Sequence, residues 1–403
     1  MPASPLVSVI LATHNRRDIT VATIGRVLAC ATPGCELEVI AVDNASTDGT
    51  DDAIERRFPT VALIRANANR GSCAKALGVP EARGRFVLFC DDDSYPRPGS
   101  IQRMVRHFDE DPRLGAAGFR VHLPDGSQES GALPHMFVGC AVGFRACALQ
   151  AVGGLDRDLF MQAEEYHLAF RLVNAGWTVR RFDDLHADHL KTPKARRTGR
   201  TTFYDTRNNL LLAARYLPPP YHAVYARDWR QRYDWLAQAG GHRSAFRRGR
   251  SAATLRGWLN RLTYARARLS STAMETLFQL DFVARRMDEI RTAGARRIML
   301  ADLGKNVYAY HQGAARTGLR VLAIADDEFA APGRAYRGTP ILTLDQALRL
   351  DPDAVVIANM SPVHAERTHR RLARLTRLPL FDWFSRPAAP EPGPDRALRP
   401  AAV

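Results

Sequence analysis

Between residues 6 and 121, short uncharged apolar runs alternate with longer segments whose apolar residues recur at helical spacing. The runs 6–12, 37–42, 61–64 and 86–89 predict strands, and the segments near 17–30, 50–58, 71–82 and 98–109 predict helices. Strand and helix in turn are the pattern of a doubly wound α/β sheet. Phe86-Val87-Leu88-Phe89 carries no charge, as a strand buried on both faces requires. Residues 138–144 and 177–182 add strands, 164–175 a helix, and 183–201 a polar loop. From 203 to about 294 the pattern is mainly helical, broken at Pro218-Pro219-Pro220 and Gly240-Gly241. Alternation then resumes, with strands at 298–301, 321–325 and 354–358. The expected organisation is a first α/β domain over 1–217, a helical segment over 218–294, a second, smaller Rossmann-like α/β module over 295–385, and a disordered Pro- and Ala-rich tail over 386–403.

Polar residues gather where the predicted strands end. The first strand ends in Thr13-His14-Asn15-Arg16, and the second in Asp43-Asn44 followed by Ser46 and Asp48. The third leads to Asn67, Asn69 and Gly71, and the fourth ends in Asp91-Asp92-Asp93. One such cluster is ordinary turn chemistry; Asp48 with Thr50 caps a following helix well. Four in register lie where open α/β sheets bind ligands. Asp91 and Asp93, with Asp92 between them, have the spacing for two carboxylates to share one hard divalent cation and hand it to a diphosphate.

The segments VSVILATHNR, EVIAVDNASTDGT, NRGSCAKALGV and RFVLFCDDDS resemble the nucleotide-binding half of the family 2 glycosyltransferases, whose catalytic domain has the GT-A fold. The resemblance runs over about residues 6–217 and implies a GT-A-type doubly wound mixed sheet. It puts Thr13, Asn15, Arg16, Asp43, Asn44, Ser46, Asn69, Gly71, Lys75, Asp91 and Asp92 on nucleotide-facing positions. It makes Asp93 and Asp91 ligands of a divalent cation, Mn2+ or Mg2+, with a histidine of the loop LHADHLKTP as a further contact: His189, with His186 in reserve. Gly153-Gly154-Leu155-Asp156 followed by Glu164-Glu165, Leu168 and Arg171 resembles the acceptor half. There the family's general base is an Asp, and Glu165 occupies its place, with Glu164 the alternative. Either carboxylate takes a proton from a hydroxyl. His167 stands where the family usually has another acid, and Lys75-Ala76 where it commonly has Arg-Asn. Arg207-Asn208 matches a pair near the edge of the active site. One base and a single displacement imply inversion at the anomeric carbon. The expected donor is a UDP- or dTDP-sugar, and the expected acceptor a growing surface glycan or a lipid-linked saccharide.

Charge changes the picture of the middle of the chain. Residues 191–300 hold 23 Lys and Arg against 7 Asp and Glu, so this segment carries the whole excess of a chain whose net charge is +15. Such a segment asks for an anionic partner. In 252–269, Leu255, Trp258, Leu259, Leu262 and Leu269 fall near one helical face flanked by Arg256, Arg261, Arg266 and Arg268. A basic amphipathic helix lies on an anionic membrane or packs on another domain. With no 18-residue apolar run and no basic leader before its first apolar stretch, the chain is expected to be cytoplasmic, peripheral on the inner face of the plasma membrane. The six cysteines form no CxxC pair and are expected to be reduced thiols without zinc. The turn Asp302-Leu303-Gly304-Lys305-Asn306 has one glycine, too few for a dinucleotide fingerprint, so a structural or regulatory module is expected and not an NAD site. A sugar-phosphate nucleotidylyltransferase needs a Gly-rich basic loop after the first strand, which is missing. A nucleic-acid-binding protein would interleave aromatic and basic residues, and this segment does not, so no nucleic acid is expected. A binding domain without turnover is the remaining alternative.

Overall fold

The computed structural model describes residues 6–191 and 198–385, apart from the side chains of Leu6, Arg261 and Leu262. The expected tail over 386–403 and the middle of the expected loop, 192–197, lie outside the described residues. The first half runs β1 (Leu6–Thr13), α1 (Arg17–Leu28), β2 (Glu36–Asp43), α2 (Thr50–Arg57), β3 (Ala62–Arg65), β4 (Phe86–Asp91), β5 (Ser94–Pro96), α3 (Ser100–Glu110), β6 (Leu114–His122), β7 (Gln128–Glu129), β8 (Ala141–Arg145), α4 (Ala146–Ala151), α5 (Glu164–Asn174) and β9 (Thr178–His189).

These strands form one mixed sheet in the order β3-β2-β1-β4-β8-β6-β9-β5, with β7 beside β6. β1 is parallel to both β2 and β4, in registers that set Thr13 opposite Asp43 and Ala12 opposite Asp91. Three of the polar strand ends therefore meet at one edge. β8 runs antiparallel between β4 and β6, which makes the sheet mixed. Val7, Val9, Leu11, Phe86 and Leu88 pack under α1 and α3 on one face. Ile10, Val87 and Phe89 face the opposite way, towards α5 and the later helices.

Two expectations in this half of the chain need correction. Residues 71–82 form two short 3-10 turns, Gly71–Leu77 and Val79–Glu81, and not an α-helix. Pro80 has no amide hydrogen to continue a ladder, and Gly71 sits at a φ of +64°. The strand expected over 177–182 runs on to His189, so 183–189 is not loop. Leu185, Ala187 and His189 point inward while Asp184, His186 and Asp188 lie further out, an alternation hidden by its acidic and imidazole members.

Helices α6 (Gly199–Tyr216), α7 (Tyr221–Ala239), α8 (Arg243–Leu259), α9 (Arg261–Ala265), α10 (Ser271–Phe278) and α11 (Leu280–Thr292) follow. The stretch 252–269 is not one helix, because it breaks at Asn260, and Leu269 is buried in the core. Leu255, Trp258 and Leu259 stay 61%, 67% and 64% exposed at the end of α8.

The second module is β10 (Arg297–Ala301), α12 (Val307–Thr317), β11 (Arg320–Ala325), β12 (Ala335–Tyr336), β13 (Thr339–Leu342), α13 (Leu344–Leu348), β14 (Ala354–Ile357), α14 (Pro362–Leu375) and β15 (Leu380–Phe381). Its six strands are ordered β12-β13-β11-β10-β14-β15, parallel except for the β12–β13 pair. One apolar cluster runs without a break from Phe89 and Phe144, through Phe170, Tyr216, Trp229 and Phe278, to Ile298 and Leu300. Continuous packing of this kind fixes the two sheets against each other through the helices.

Candidate active site

The acidic edge is built on the end of β4. Asp92 and Asp93 are buried, and Arg16, one turn beyond β1, bridges them at 2.6 and 2.8 Å. Burial drives the Asp92 carboxyl up to about 7, against the pull of Arg16. Burial also acts on Asp93, but hydrogen bonds from His189 and Arg16 outweigh it and hold that carboxyl down to about 2. His189, the inward residue at the end of β9, sets Nε2 3.2 Å from Asp93 and Nδ1 3.0 Å from Glu129 on β7. These two carboxylates keep the imidazole charged well above its usual range despite its burial. His186 pairs with His122 instead, at 3.0 Å, and is not part of this cluster.

Asp91 lies beside it, joined to the buried Lys75 ammonium at 2.5 Å. Lys75 also donates to the Gly139 carbonyl at 3.1 Å. The donor atoms of Asp91, Cys140 and His189 lie within 4.8 Å of one another, and Asp93 shares His189 with them. Carboxylates, with an imidazole that gives up its proton to the metal, fit a hard or borderline divalent ion such as Mn2+ or Mg2+. Burial raises the Cys140 thiol above its ordinary range. Glu129 and Cys140 escaped the reading of the sequence. Neither belongs to a motif, and only the pairing of β7 with β6 brings Glu129 across the sheet.

The other strand ends form a connected polar floor. Asn15, at a φ of +54°, accepts from the Thr47 amide at 2.7 Å and donates its own amide to Ser46 at 3.0 Å. Asn44 donates to Asn69 and to the Gly71 carbonyl, and accepts from the Arg70 amide at 2.7 Å. Asn69 in turn accepts from the Gly71 amide. Thr13 is buried, bonded to Thr20 at 2.7 Å and also to the Asp92 carboxyl. Asn44 and Asn69 are thus committed to holding the loops. Asp43 differs. One of its oxygens accepts from the Ser46 amide, while the other is buried and without a partner among the described residues. A buried carboxylate oxygen left open in this way is costly unless a ligand donor meets it.

Across the crevice stands the start of α5. Phe160, Gln162 and Ala163 all have positive φ, between +65° and +68°, although none is glycine. Conformations of this kind cost of order 1–3 kcal/mol each and persist only where the surroundings impose them. Asn208 imposes them here, donating to the carbonyls of Leu159, Met161 and Gln162 at 2.9, 2.7 and 2.8 Å. Arg207 adds bonds to the carbonyls of Asp158 and Leu159. From the other side, the Phe160 carbonyl accepts from the Cys73 amide at 3.2 Å, so close that a Cβ on Gly71 would fall 2.2 Å from the Phe160 oxygen. Asn208→Ala should therefore destabilise the chain by about 1–3 kcal/mol in urea unfolding, because it strands buried carbonyls.

This loop presents Glu164 and Glu165 differently. Glu164 accepts a bond from the Ser72 hydroxyl, and its other oxygen is buried. Glu165 is met by its own backbone amide, with no side-chain hydrogen bond among the described residues. Both carboxyls are raised above the ordinary range, by burial first and, for Glu165, then by the Glu164 charge. A cavity of about 240 Å³ takes in Asp91, Glu129, His189, Glu164, Glu165 and Lys191. The acidic edge and the carboxylate pair thus face one space. His167, on the same helix, turns away and bonds Tyr216 at 2.7 Å.

Residues 8–137 match the family model described as Glycosyl transferase family 2. The succinoglycan biosynthesis protein ExoO of Rhizobium meliloti is 35% identical over 119 residues, 29% of this chain and 32% of that protein. The N-acetylglucosaminyl-diphospho-decaprenol L-rhamnosyltransferase of Mycobacterium tuberculosis is 28% identical over 192 residues, 35% of this chain and 62% of that protein. The chain thus spans less than two thirds of either relative. A mannosyltransferase from Pyrobaculum calidifontis, solved with GDP-Man and Mn2+, is 20% identical with a TM-score of 0.45, covering 68% of this chain and 88% of that one. The stretch 8–137 that matches glycosyl transferase family 2 carries the strand ends with Thr13, Asp43 and Asp91–Asp93.

Proposed function

We propose that this chain is an inverting, metal-dependent glycosyltransferase that moves a sugar from a nucleotide donor to a hydroxyl of a surface-glycan or lipid-linked saccharide acceptor. The observation that carries the reading is the common cavity of Glu165, Asp91 and His189. Asp93, Asp91 and His189 would hold the cation, which when bound offsets the charge of the departing nucleoside diphosphate. The unpartnered oxygen of Asp43 suits the imide N–H of uracil or thymine, in line with a UDP- or dTDP-sugar. Lys75 and Arg16 bring positive charge to the diphosphate side. Glu165 takes the proton of the acceptor hydroxyl as its oxygen bonds to the anomeric carbon and the bond to diphosphate breaks on the opposite side. One displacement inverts the configuration. Two of the relatives' names, the succinoglycan protein and the rhamnosyltransferase, favour an acceptor of the envelope-glycan or lipid-linked class.

The test is a thermal-shift and turnover screen of UDP-, dTDP- and GDP-sugars with Mn2+ or Mg2+, using a lipid-diphosphate saccharide as acceptor. Binding to the native state raises the melting temperature. The expected result is a rise with one nucleotide that needs the metal, and a product of inverted anomeric configuration. No rise with any nucleotide, or a retained configuration, would overturn the reading.

The protein is proposed to work at the inner face of the plasma membrane. No described helix is long and apolar enough to span a membrane. The exposed Leu255, Trp258 and Leu259 sit at the end of α8 in the most basic part of the chain. Arg256 is partly engaged by Asp158, and the flanking Arg261 and Leu262 side chains lie outside the described residues. Near an anionic leaflet each facing arginine contributes about 1 kcal/mol. Co-sedimentation with anionic liposomes at low salt, release at high salt and weak binding to neutral vesicles are expected. The double variant Trp258→Ser, Leu259→Ser should bind them less while still acting on a soluble acceptor.

A further inference from the structure

Helix α5 borders two cavities. Glu164 and Glu165 open into the candidate active site. His167, Phe170, Arg171 and Asn174 recur at helical spacing on a stripe turned away from Glu165, and they line a second cleft. That cleft measures about 810 Å³. Its other walls are the turn 151–157, the end of α6 at Arg215 and Tyr216, and Asn260 with the stretch 263–267 around α9.

Its chemistry suits an anion. Arg157, Arg171, Arg215 and Arg266 line it against a single carboxylate, Asp156. Arg215 is spent on Asp156 at 2.5 Å and reaches the Tyr264 hydroxyl at 3.3 Å. Arg157, Arg171 and Arg266 make no ion pair and no side-chain hydrogen bond among the described residues. Like charges gathered at one opening repel each other until an anion enters. Guanidinium groups fork onto phosphate oxygens, so phosphate is the anion they hold best in number. His167 is buried at the back, sharing a hydrogen bond with Tyr216 at 2.7 Å, and the Gly154 backbone also acts on its ring. Its Nε2 has no hydrogen bond of ordinary geometry among the described residues. When the Tyr216 hydroxyl donates to Nδ1, Nε2 carries the ring proton and adds a donor behind the arginines.

The surroundings of the opening point to the source of the phosphate. Leu255, Trp258 and Leu259 are exposed at the end of α8, and the next residue, Asn260, is already part of the cleft wall. Arg256 ties that end of α8 to Asp158, the neighbour of Arg157 in the wall. Apolar side chains that can enter a leaflet thus stand beside unpaired arginines. We propose that the cleft between α5 and α9 binds the phosphate of an anionic phospholipid headgroup, at the membrane surface that the end of α8 contacts. This rests on the reading of α8 as a membrane contact and adds a defined site to it. Basic pockets take lipid headgroups, and Trp settles at the same depth. Helix α5 alone separates the cleft from Glu165, a width of about 10 Å. A lipid held here therefore keeps the candidate active site close to a lipid-linked acceptor.

The test is titration of the full-length protein with vesicles of phosphatidylglycerol in phosphatidylcholine, using two charge-matched double variants. Arg157→Gln with Arg266→Gln removes two arginines of the cleft. Arg243→Gln with Arg247→Gln removes the same charge from exposed positions of α8 outside it. The cleft variant should bind at least about tenfold more weakly than the control. Arg157 and Arg266 are exposed, so glutamine strands no partner there. Arg171→Gln should weaken binding too. Without vesicles, glycerol 1-phosphate should bind the native chain and not the cleft variant, as read by 31P NMR. Equal losses in the two double variants would mean that diffuse charge alone draws the chain to the surface, and would overturn the inference. Binding of glycerol 1-phosphate or inorganic phosphate by a chain that ignores phosphatidylglycerol vesicles would make this a site for a free phosphate, and would overturn the lipid assignment. Trp258→Ser with Leu259→Ser separates the cleft from the reading beneath it. Native vesicle binding by that variant, abolished by also replacing Arg157 and Arg266, would sink the apolar contact and leave the phosphate cleft standing.

Discussion

Glu165→Gln is expected to bind the nucleotide donor as the native chain does and to transfer sugar about 10²–10⁴-fold more slowly. The amide keeps the size of the carboxyl and cannot accept the acceptor's proton. In barrier terms the loss is about 3–5 kcal/mol. Glu165 is the expected base because no described side chain hydrogen-bonds its carboxylate, while Glu164 accepts from Ser72 and turns its second oxygen inward. Glu164→Gln should therefore act through the 71–77 turn, raising KM more than it lowers kcat. Burial and the Glu164 charge hold the Glu165 carboxyl above its usual range, so the reactive form is lost as pH falls through that raised pKa. kcat/KM should rise with pH on the acidic side, and in Glu165→Gln that limb should disappear. If Glu164→Gln were the inactive variant and Glu165→Gln nearly native, the two roles would be exchanged.

The strand ends were legible because each depends on a local pattern, an uncharged run closed by short polar residues. The registers of β1 with β2 and β4 then bring Thr13, Asp43 and Asp91 to one edge, as the doubly wound pattern implies. Division of labour within the edge was not legible. Asn15, Asn44 and Asn69 lie at or just beyond the strand ends, yet Asn44 and Asn69 are spent on loop geometry while Asp43 keeps an open oxygen. That outcome depends on which amide each side chain meets after folding. The strand through His189 was missed because only Leu185 and Ala187 mark its inward side among acids and histidines.

Asp93→Ala is expected to abolish the metal dependence of donor binding and to lower transfer at least about 10²-fold, while the fold survives. Asp93 lies just beyond the end of β4, so its side chain is no part of the strand's packing. Its neighbours remain compensated without it: Arg16 keeps Asp92 at 2.6 Å, and His189 keeps Glu129 at 3.0 Å. No buried charge is stranded, and the melting temperature should change little. What disappears is the carboxylate that faces His189 at 3.2 Å, next to Asp91. The native protein stripped with chelator should fall to the same rate, and Mn2+ should restore the native chain but not the variant. Asp92→Asn should be milder, because Asp92 is tied to Arg16 and Thr13 and has no contact with His189. Asp93→Ala protein that turns over at the native rate in chelator would show that the acidic edge holds no catalytic metal. The cluster of Arg16, Asp92, Asp93 and His189 would then be a structural network closing the end of the sheet.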